Sequence, residues 1–323
     1  MNARRAGSGH GVGGAIEVPA PAKLNLFLHV VDRRPDGYHE LQTVFQFVDL
    51  ADRIRLARRN DTLLRRTTEI PGVNEADDLV MRAARLLHEE SGVEAGASIE
   101  VEKRIPLGGG LGGGSSDAAS VLVGLNRLWE LGMSPDRLAA LGVKLGADVP
   151  VFVRGLAAWA EGVGERLVPV ELEQPWYVLI VLPFAVSTAY VFRAPALTRN
   201  TPRIRMNSLL RGRSEPQESP VRVERLLAGA RNDCEPVVRE MHPEVGEAID
   251  WLSRYGRARM TGTGATVFAP FGSRERAVEV ANSVPPPWRG LTARGLNRSP
   301  LLDCANRPPT RKADSTPPVN LGV

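Results

Sequence analysis

An α+β fold in two domains is what this sequence predicts, on three observations. The chain has 323 residues, 43% of them hydrophobic, which suffices for a proper core and is long for one domain. Strand-like and helix-like stretches alternate along it without strict βαβ regularity. Gly-rich residues 1–15 and Pro-rich residues 303–323 break from the pattern at either end and are expected to be disordered tails. No internal repeat is visible.

Each element has its own reason. Leu24 to Val31 is apolar and strand-like, and Ile54 to Ala57 is so more weakly. Asp77 or Asp78 can cap a helix in which Leu79, Ala83, Leu86 and Leu87 share one face. Ser98 to Lys103 reads as a strand. A helix follows from about Ser115, with Ala118, Val121, Leu122, Leu125 and Leu128 as its apolar stripe and Gly132 at its end. Ser134 caps the next helix with Pro135 at its first position; Gly146 closes it, and Asp148 to Phe152 is expected to emerge extended. Trp176 to Leu182 is a continuous apolar run, hence a buried strand. Residues 199–222 are polar and Pro-rich, a surface excursion. Ala265 to Ala269 predicts another strand, with a helix after it through Val280.

Composition excludes several classes of function. Two cysteines, Cys234 and Cys304, make neither a disulfide framework nor a metal-binding spacing, which suits a reducing cytoplasm. No apolar run approaches the roughly 20 residues that span a membrane. Arg4-Arg5 is followed by a polar Gly-rich stretch and so does not read as a twin-arginine export signal. The pI of about 9.4 invites a nucleic-acid partner. Yet of the net charge of +4, residues 1–15 carry +2 and residues 303–323 carry +1, leaving +1 for the 287 residues from 16 to 302. Arg58-Arg59 and Arg65-Arg66 are short runs of the kind found on solvated surfaces. Neither nucleic acid nor membrane is expected as a partner.

The most informative stretch is Leu107-Gly108-Gly109-Gly110-Leu111-Gly112-Gly113-Gly114-Ser115-Ser116-Asp117. Glycine reaches positive φ and lets backbone approach a ligand closely. The helix that follows opens with free N–H groups and the positive end of its dipole, which favour an anion. The loop therefore predicts a phosphate cradle. It is not a Walker A loop, for no Gly-Lys-Ser or Gly-Lys-Thr occurs, and it starts about a hundred residues too late for a dinucleotide-binding turn. The alternative is a flexible linker, disfavoured by the strong apolar patterns on both flanks.

Three further features stand out. Pro21-Ala22-Lys23-Leu24-Asn25-Leu26 sets a lone lysine and asparagine in an apolar strand. Such a lysine is either paired or near an anion, or it lies at an edge and snorkels to water. Asp148 follows a helix and precedes Pro150, where surface carboxylates are common. Met260-Thr261-Gly262-Thr263-Gly264-Ala265 is a second glycine turn, by itself an ordinary one.

Together these pieces resemble the three motifs of the GHMP small-molecule kinases. Five segments, Pro21 to Leu28, Asp36 to Thr43, Pro106 to Ser116, Leu145 to Phe152 and Asn232 to Glu235, are similar to the kinases that act on 4-diphosphocytidyl-2-C-methyl-D-erythritol. The resemblance covers residues 16–302. It implies a ribosomal-protein-S5-like N-terminal domain over 16–170, binding ATP, and a ferredoxin-like C-terminal domain over 171–302. It also implies transfer of the γ-phosphate of ATP to the 2-hydroxyl of the substrate, in the non-mevalonate isoprenoid pathway. Pro106, Leu107, Gly108, Gly109, Gly110, Leu111, Gly112, Gly113, Gly114, Ser115 and Ser116 would hold the ATP phosphates. Asp148 would accept the hydroxyl proton with Lys23 beside it. Asn25, Tyr38, His39, Phe192, Gly262 and Gly264 would bind the substrate, the cytosine base lying between Tyr38 and Phe192. Mg2+ is expected with ATP, held largely by phosphate and water, with Ser116 and Asp117 as possible contacts. A cytoplasmic monomer or homodimer is expected.

Overall fold

The computed structural model describes residues 14–70, 78–210 and 220–305. It opens with two long antiparallel strands, β1 (Ala15–Arg33) and β2 (His39–Arg59). Next come β3 (Leu64–Arg66), α1 (Leu79–Ser91), β4 (Gly96–Glu102), α2 (Gly113–Leu128), α3 (Pro135–Val143), α4 (Val149–Arg154), β5 (Ala158–Gly162) and β6 (Arg166–Pro169). The second half runs through β7 (Trp176–Val181), α5 (Thr188–Arg193), α6 (Met206–Leu210), α7 (Val223–Gly229), α8 (Glu235–Met241) and α9 (Pro243–Leu252). It ends with β8 (Arg259–Met260), β9 (Val267–Phe271), α10 (Arg274–Asn282), β10 (Arg289–Leu296) and α11 (Leu301–Ala305).

Strand β2 organises the molecule. It pairs antiparallel with β1, β4, β5 and β10, and through β10 it joins β7, β9 and β8 in the order β3-β4-β2-β10-β7-β9-β8. The apolar residues of the first half close one core around α1, α2 and β4, with Val121, Leu122 and Leu125 of the expected α2 stripe among them. A second core, including Val178, Ile180 and Val267, belongs to the later strands and helices. A third lies between them, where Leu24, Leu26 and Phe27 of β1 meet Tyr177, Leu179 and Phe268. Burial of this order, roughly 25 cal/mol per Å² of apolar surface, makes the two halves one folded body.

The local signals behave as their chemistry requires. The Asp78 carboxylate accepts from the Val80 N–H and caps α1, while Gly92 ends that helix in the left-handed conformation; Asp77 is outside the described residues. Ser134 accepts from the Arg137 N–H above Pro135. Four expectations need correction. Asp148 to Phe152 is not extended: Asp148 has helical φ and ψ and opens α4. Pro150 lies in the first turn, where its missing N–H is no loss. The stretch 199–222 is not wholly a surface excursion, because α6 buries Leu209 and Leu210 in the third core; residues 211–219 are outside the described residues. Helix α2 stops at Leu128, short of Gly132. The expected tail boundaries also do not hold, since Ala15 begins β1 and Asp303 lies in α11, whose Leu301 is fully buried in the first core; residues 1–13 and 306–323 are outside the described residues.

Candidate active site

The glycine loop after β4 adopts alternating left-handed conformations, with φ of 64° at Gly108, 74° at Gly110 and 73° at Gly112. Only glycine takes these angles without strain. At Gly110 space is decisive as well. A Cβ there would lie 2.3 Å from the Thr261 carbonyl oxygen and 3.0 Å from the Gly264 nitrogen. The early and late glycine turns, over 150 positions apart, thus pack back to back. The Thr266 N–H donates to Gly109 O at 3.1 Å, and Asn232 Nδ2 donates to Met260 O and Gly262 O at 2.9 and 2.8 Å. The loop ends at Gly112, the N-cap of α2, which provides no side-chain cap. The first N–H groups of a 16-residue helix are therefore left for a ligand.

Beside this helix end stands Lys23, 3% exposed. The pairing of β1 with β2 shifts between Pro21 and Lys23, and again between Asn25 and Leu28. Such irregularities re-aim side chains. Lys23 is consequently free to donate its own N–H to Leu111 O at 3.0 Å. Its ammonium donates to Asn25 Oδ1 at 2.5 Å and Gly110 O at 3.1 Å, and lies 3.2 Å from Asp148 Oδ2. The snorkelling alternative is thereby excluded: this lysine is buried and paired. Asp148, one-third exposed, makes no cap hydrogen bond with its own helix, so its carboxylate faces Lys23 and the cavity.

The cavity, about 770 Å³, is lined by Lys23, Asn25 and Asp148, by Pro106 through Ser115, by Gly262 and Gly264, and by Tyr38, His39 and Phe192. The Tyr38 ring is 63% exposed. Phe192 stacks on His39, with ring centroids 5.2 Å apart at 28°, rather than closing directly on Tyr38. Burial, then the charges of Arg199 and Arg33, hold the His39 imidazole below its ordinary pKa.

Three residues expected at the site have partners within the protein. Ser116 is fully buried and does not reach the cavity; its hydroxyl donates to Pro21 O at 2.6 Å and ties α2 to β1. Asn25 lines the cavity, but its amide is engaged within the protein: Oδ1 accepts from Lys23 and Nδ2 donates to Thr43 Oγ1 at 2.9 Å. It steadies Lys23, and these two bonds leave one amide hydrogen and one Oδ1 lone pair unused. Asp117 is likewise buried and does not line the cavity; its Oδ2 accepts from Lys103 Nζ at 2.7 Å.

Sequence reasoning missed Lys103 and Arg199. Lys103 borders the cavity and is bracketed by Asp117 and the fully buried Asp52. Burial lowers its pKa, but the two carboxylates override that and leave it raised. One ammonium cannot neutralise two carboxylates, so burial together with Asp52 pushes Asp117 up to about 7 against the pull of Lys103. A lysine ending a strand followed by an aspartate 14 positions on was the available signal, though only the fold joins them. Among the described residues, no cluster of three or more histidine, cysteine or acidic side chains could hold a metal, and no helix is long and apolar enough to cross a membrane.

Comparison with known proteins follows the same lines. Residues 78–156 match the GHMP kinases N terminal domain and residues 216–289 the GHMP kinases C terminal domain. A 4-diphosphocytidyl-2-C-methyl-D-erythritol kinase from Nitrosococcus oceani is 49% identical over 289 residues, 90% of this chain and 98% of its own. The one from Chromohalobacter salexigens is 50% identical over 288 residues, 89% and 93% respectively. The chain belongs to the 4-diphosphocytidyl-2-C-methyl-D-erythritol kinase family of GHMP kinases. The crystal structure of a 4-(cytidine 5'-diphospho)-2C-methyl-D-erythritol kinase, 35% identical, superposes with a TM-score of 0.70 over 87% of this chain and 99% of that one. A homoserine kinase from Cytophaga hutchinsonii, 17% identical with a TM-score of 0.64 over 92% of this chain and 98% of its own, shares the GHMP kinase fold. The two-domain α+β architecture expected from the sequence is that of its family.

Proposed function

We infer that this GHMP kinase transfers the γ-phosphate of ATP to the 2-hydroxyl of 4-diphosphocytidyl-2-C-methyl-D-erythritol, releasing ADP and the 2-phosphate, in the non-mevalonate isoprenoid pathway. Its relatives carry that activity in their names. The observation that carries the reading for this chain is the Lys23–Asp148 pair. It lines the same cavity as an anion cradle, the glycine loop, and an aromatic group, Tyr38, His39 and Phe192.

Phosphoryl transfer needs positioning and neutralisation of charge more than covalent help. The phosphates would lie on the N–H groups from Gly108 to Ser115, with the α2 dipole behind them. Asp148 would accept the proton of the attacking hydroxyl. Lys23, held by Asn25 and Gly110 O, would offset the charge of Asp148 and of the developing alkoxide. Tyr38 and Phe192 supply ring faces for the base and His39 an edge contact. Gly262 and Gly264 let the late turn approach the reacting group without side chains in the way.

Mg2+ is part of the proposal. The Ser115 hydroxyl would hold it together with phosphate and water, and when bound it would neutralise phosphate charge. A single protein ligand fits an ion bound chiefly through its nucleotide. The free thiols of Cys234 and Cys304 support a cytoplasmic setting, and the enzyme would act as a monomer or homodimer on small molecules, without nucleic acid or membrane as partner. The test is ADP release from ATP and Mg2+, with the cytidyl substrate and with mevalonate and homoserine as controls. Turnover on the cytidyl substrate alone supports the reading; turnover on a control instead would retain the fold and remove the base pocket.

A further inference from the structure

Arg199 lies in the polar stretch after α5 and lines the cavity without belonging to any motif. Four of its five N–H donors are engaged within the protein. Nη2 donates to Phe192 O at 3.0 Å and Ala194 O at 2.7 Å, and Nη1 donates to Leu197 O at 3.0 Å, closing the end of α5. Its Nε donates to His39 Nε2 at 3.1 Å. A guanidinium has donors only. The ring nitrogen that receives its N–H must therefore present a lone pair, which leaves the proton of the neutral imidazole on Nδ1. Among the described residues Nδ1 has no hydrogen-bond partner, and His39 borders the cavity while stacked on Phe192.

The two tautomers of such a histidine read opposite patterns. At ring N3 cytosine offers a lone pair, whereas uracil offers an N–H. An Nδ1–H donor matches the first and meets the second donor to donor. We propose that Arg199 is a positioning residue that locks His39 as an Nδ1–H donor and thereby makes the site select cytosine over uracil. The proposal rests on the reading of the aromatic group as a base pocket. Without Arg199 the imidazole could exchange tautomers, its Nδ1 lone pair could accept from uracil, and the discrimination would relax. The charges facing the ring act in the same sense. Arg199 and Arg33 both disfavour a second proton, while the adjacent Glu40 is turned to Arg166 and Arg203. A single tautomer, rather than an imidazolium, therefore reads the base at neutral pH.

The experiment compares the wild type, Arg199→Met and Arg199→Lys. Their kcat/KM is measured on the cytidine and uridine forms of the substrate from pH 5.5 to 8, and the His39 tautomer is read by long-range 15N–1H spectra of imidazole-labelled protein. The wild type should hold Nδ1–H and prefer the cytidine form. Arg199→Met should lose roughly tenfold or more of that preference, through KM rather than kcat, as expected when a matched polar contact is undone. Its preference should partly return at acid pH, where a second proton gives His39 an Nδ1–H whichever tautomer it held before. Arg199→Lys, which still donates, should restore the tautomer and most of the preference. Arg199→Met with wild-type preference and an unchanged tautomer would overturn the proposal. So would a wild-type His39 carrying its proton on Nε2, a result that needs no variant to fold. A wild type that uses both substrates alike would overturn the base pocket itself, and this proposal with it.

Discussion

Lys23 Nζ lies 3.2 Å from Asp148 Oδ2, although 125 positions separate the two residues and one is 3% exposed while the other opens onto a cavity. Their meeting depends on a strand irregularity on one side and a proline-started helical turn on the other. Asp148→Asn should lower kcat about a hundredfold or more, the range for loss of a general base, with ATP and substrate binding within a few-fold. Lys23→Ala should do the same and also lose stability, since it leaves Asn25 Oδ1 without its donor. Single-turnover kinetics beside calorimetric binding separate the two effects. Near-normal kcat in Asp148→Asn would remove the base assignment.

Tyr38→Ala should raise KM for the cytidyl substrate roughly tenfold, because stacking a base on an aromatic ring contributes about 1–3 kcal/mol. KM for ATP should stay the same, as Tyr38 is not part of the glycine loop that would hold the phosphates. Steady-state kinetics varying each substrate in turn decide it.

Two glycines with the same backbone geometry should behave differently. Gly110 and Gly132 both have positive φ, at 74° and 66°, but a Cβ at Gly132 meets nothing within 4 Å. Gly132→Ala should cost about 1 kcal/mol of stability and leave kinetics unchanged. Gly110→Ala should separate the two glycine turns and abolish ATP binding. Thermal melting and nucleotide titration of both variants provide the comparison.

The buried cluster of Asp52, Lys103 and Asp117 should leave a mark on stability against pH. Asp117 titrates near 7 when folded, well above the ordinary carboxylate value. A raised carboxylate binds its proton more tightly in the folded state, so its stabilising effect is full below the unfolded pKa. That effect is lost as pH rises from about 4 through 7. Asp117→Asn cannot titrate, and its amide oxygen can still accept from Lys103. Its melting temperature should therefore vary less with pH between 5 and 7.5 than that of the wild type. Parallel slopes for the two proteins would show that Asp117 is ionised throughout.

Much of this site was legible before any coordinates. The glycine loop announced a phosphate cradle because left-handed φ and close approach demand glycine itself. Lys23 stood out because an ammonium in an apolar strand needs a partner. Asp148 came from the resemblance alone; locally it was indistinguishable from a surface carboxylate. What escaped was whatever depends on direction and distance. Ser115 and Ser116 are adjacent and identical in type, yet a helix turns successive side chains by about 100°, so one lines the cavity while the other bonds Pro21 O. Nothing local revealed that Asn25 would also hold Lys23 and Thr43, one through each end of its amide. Arg199 sat in a stretch that looked like solvent-facing loop, and its role exists only through contact with His39, 160 positions earlier.

Leu301 of α11 fills the core built by the first half of the chain, and Arg127 of α2 donates to the backbone oxygen of Cys304. The helix that presents the phosphate cradle is thus braced by nearly the last described residues. On a ribosome, the cradle would be synthesised long before its brace. A chain that ends prematurely at about residue 296 would contain every motif of the active site and still lack the support beneath it, so an assay for intact nucleotide binding is also an assay for completed synthesis.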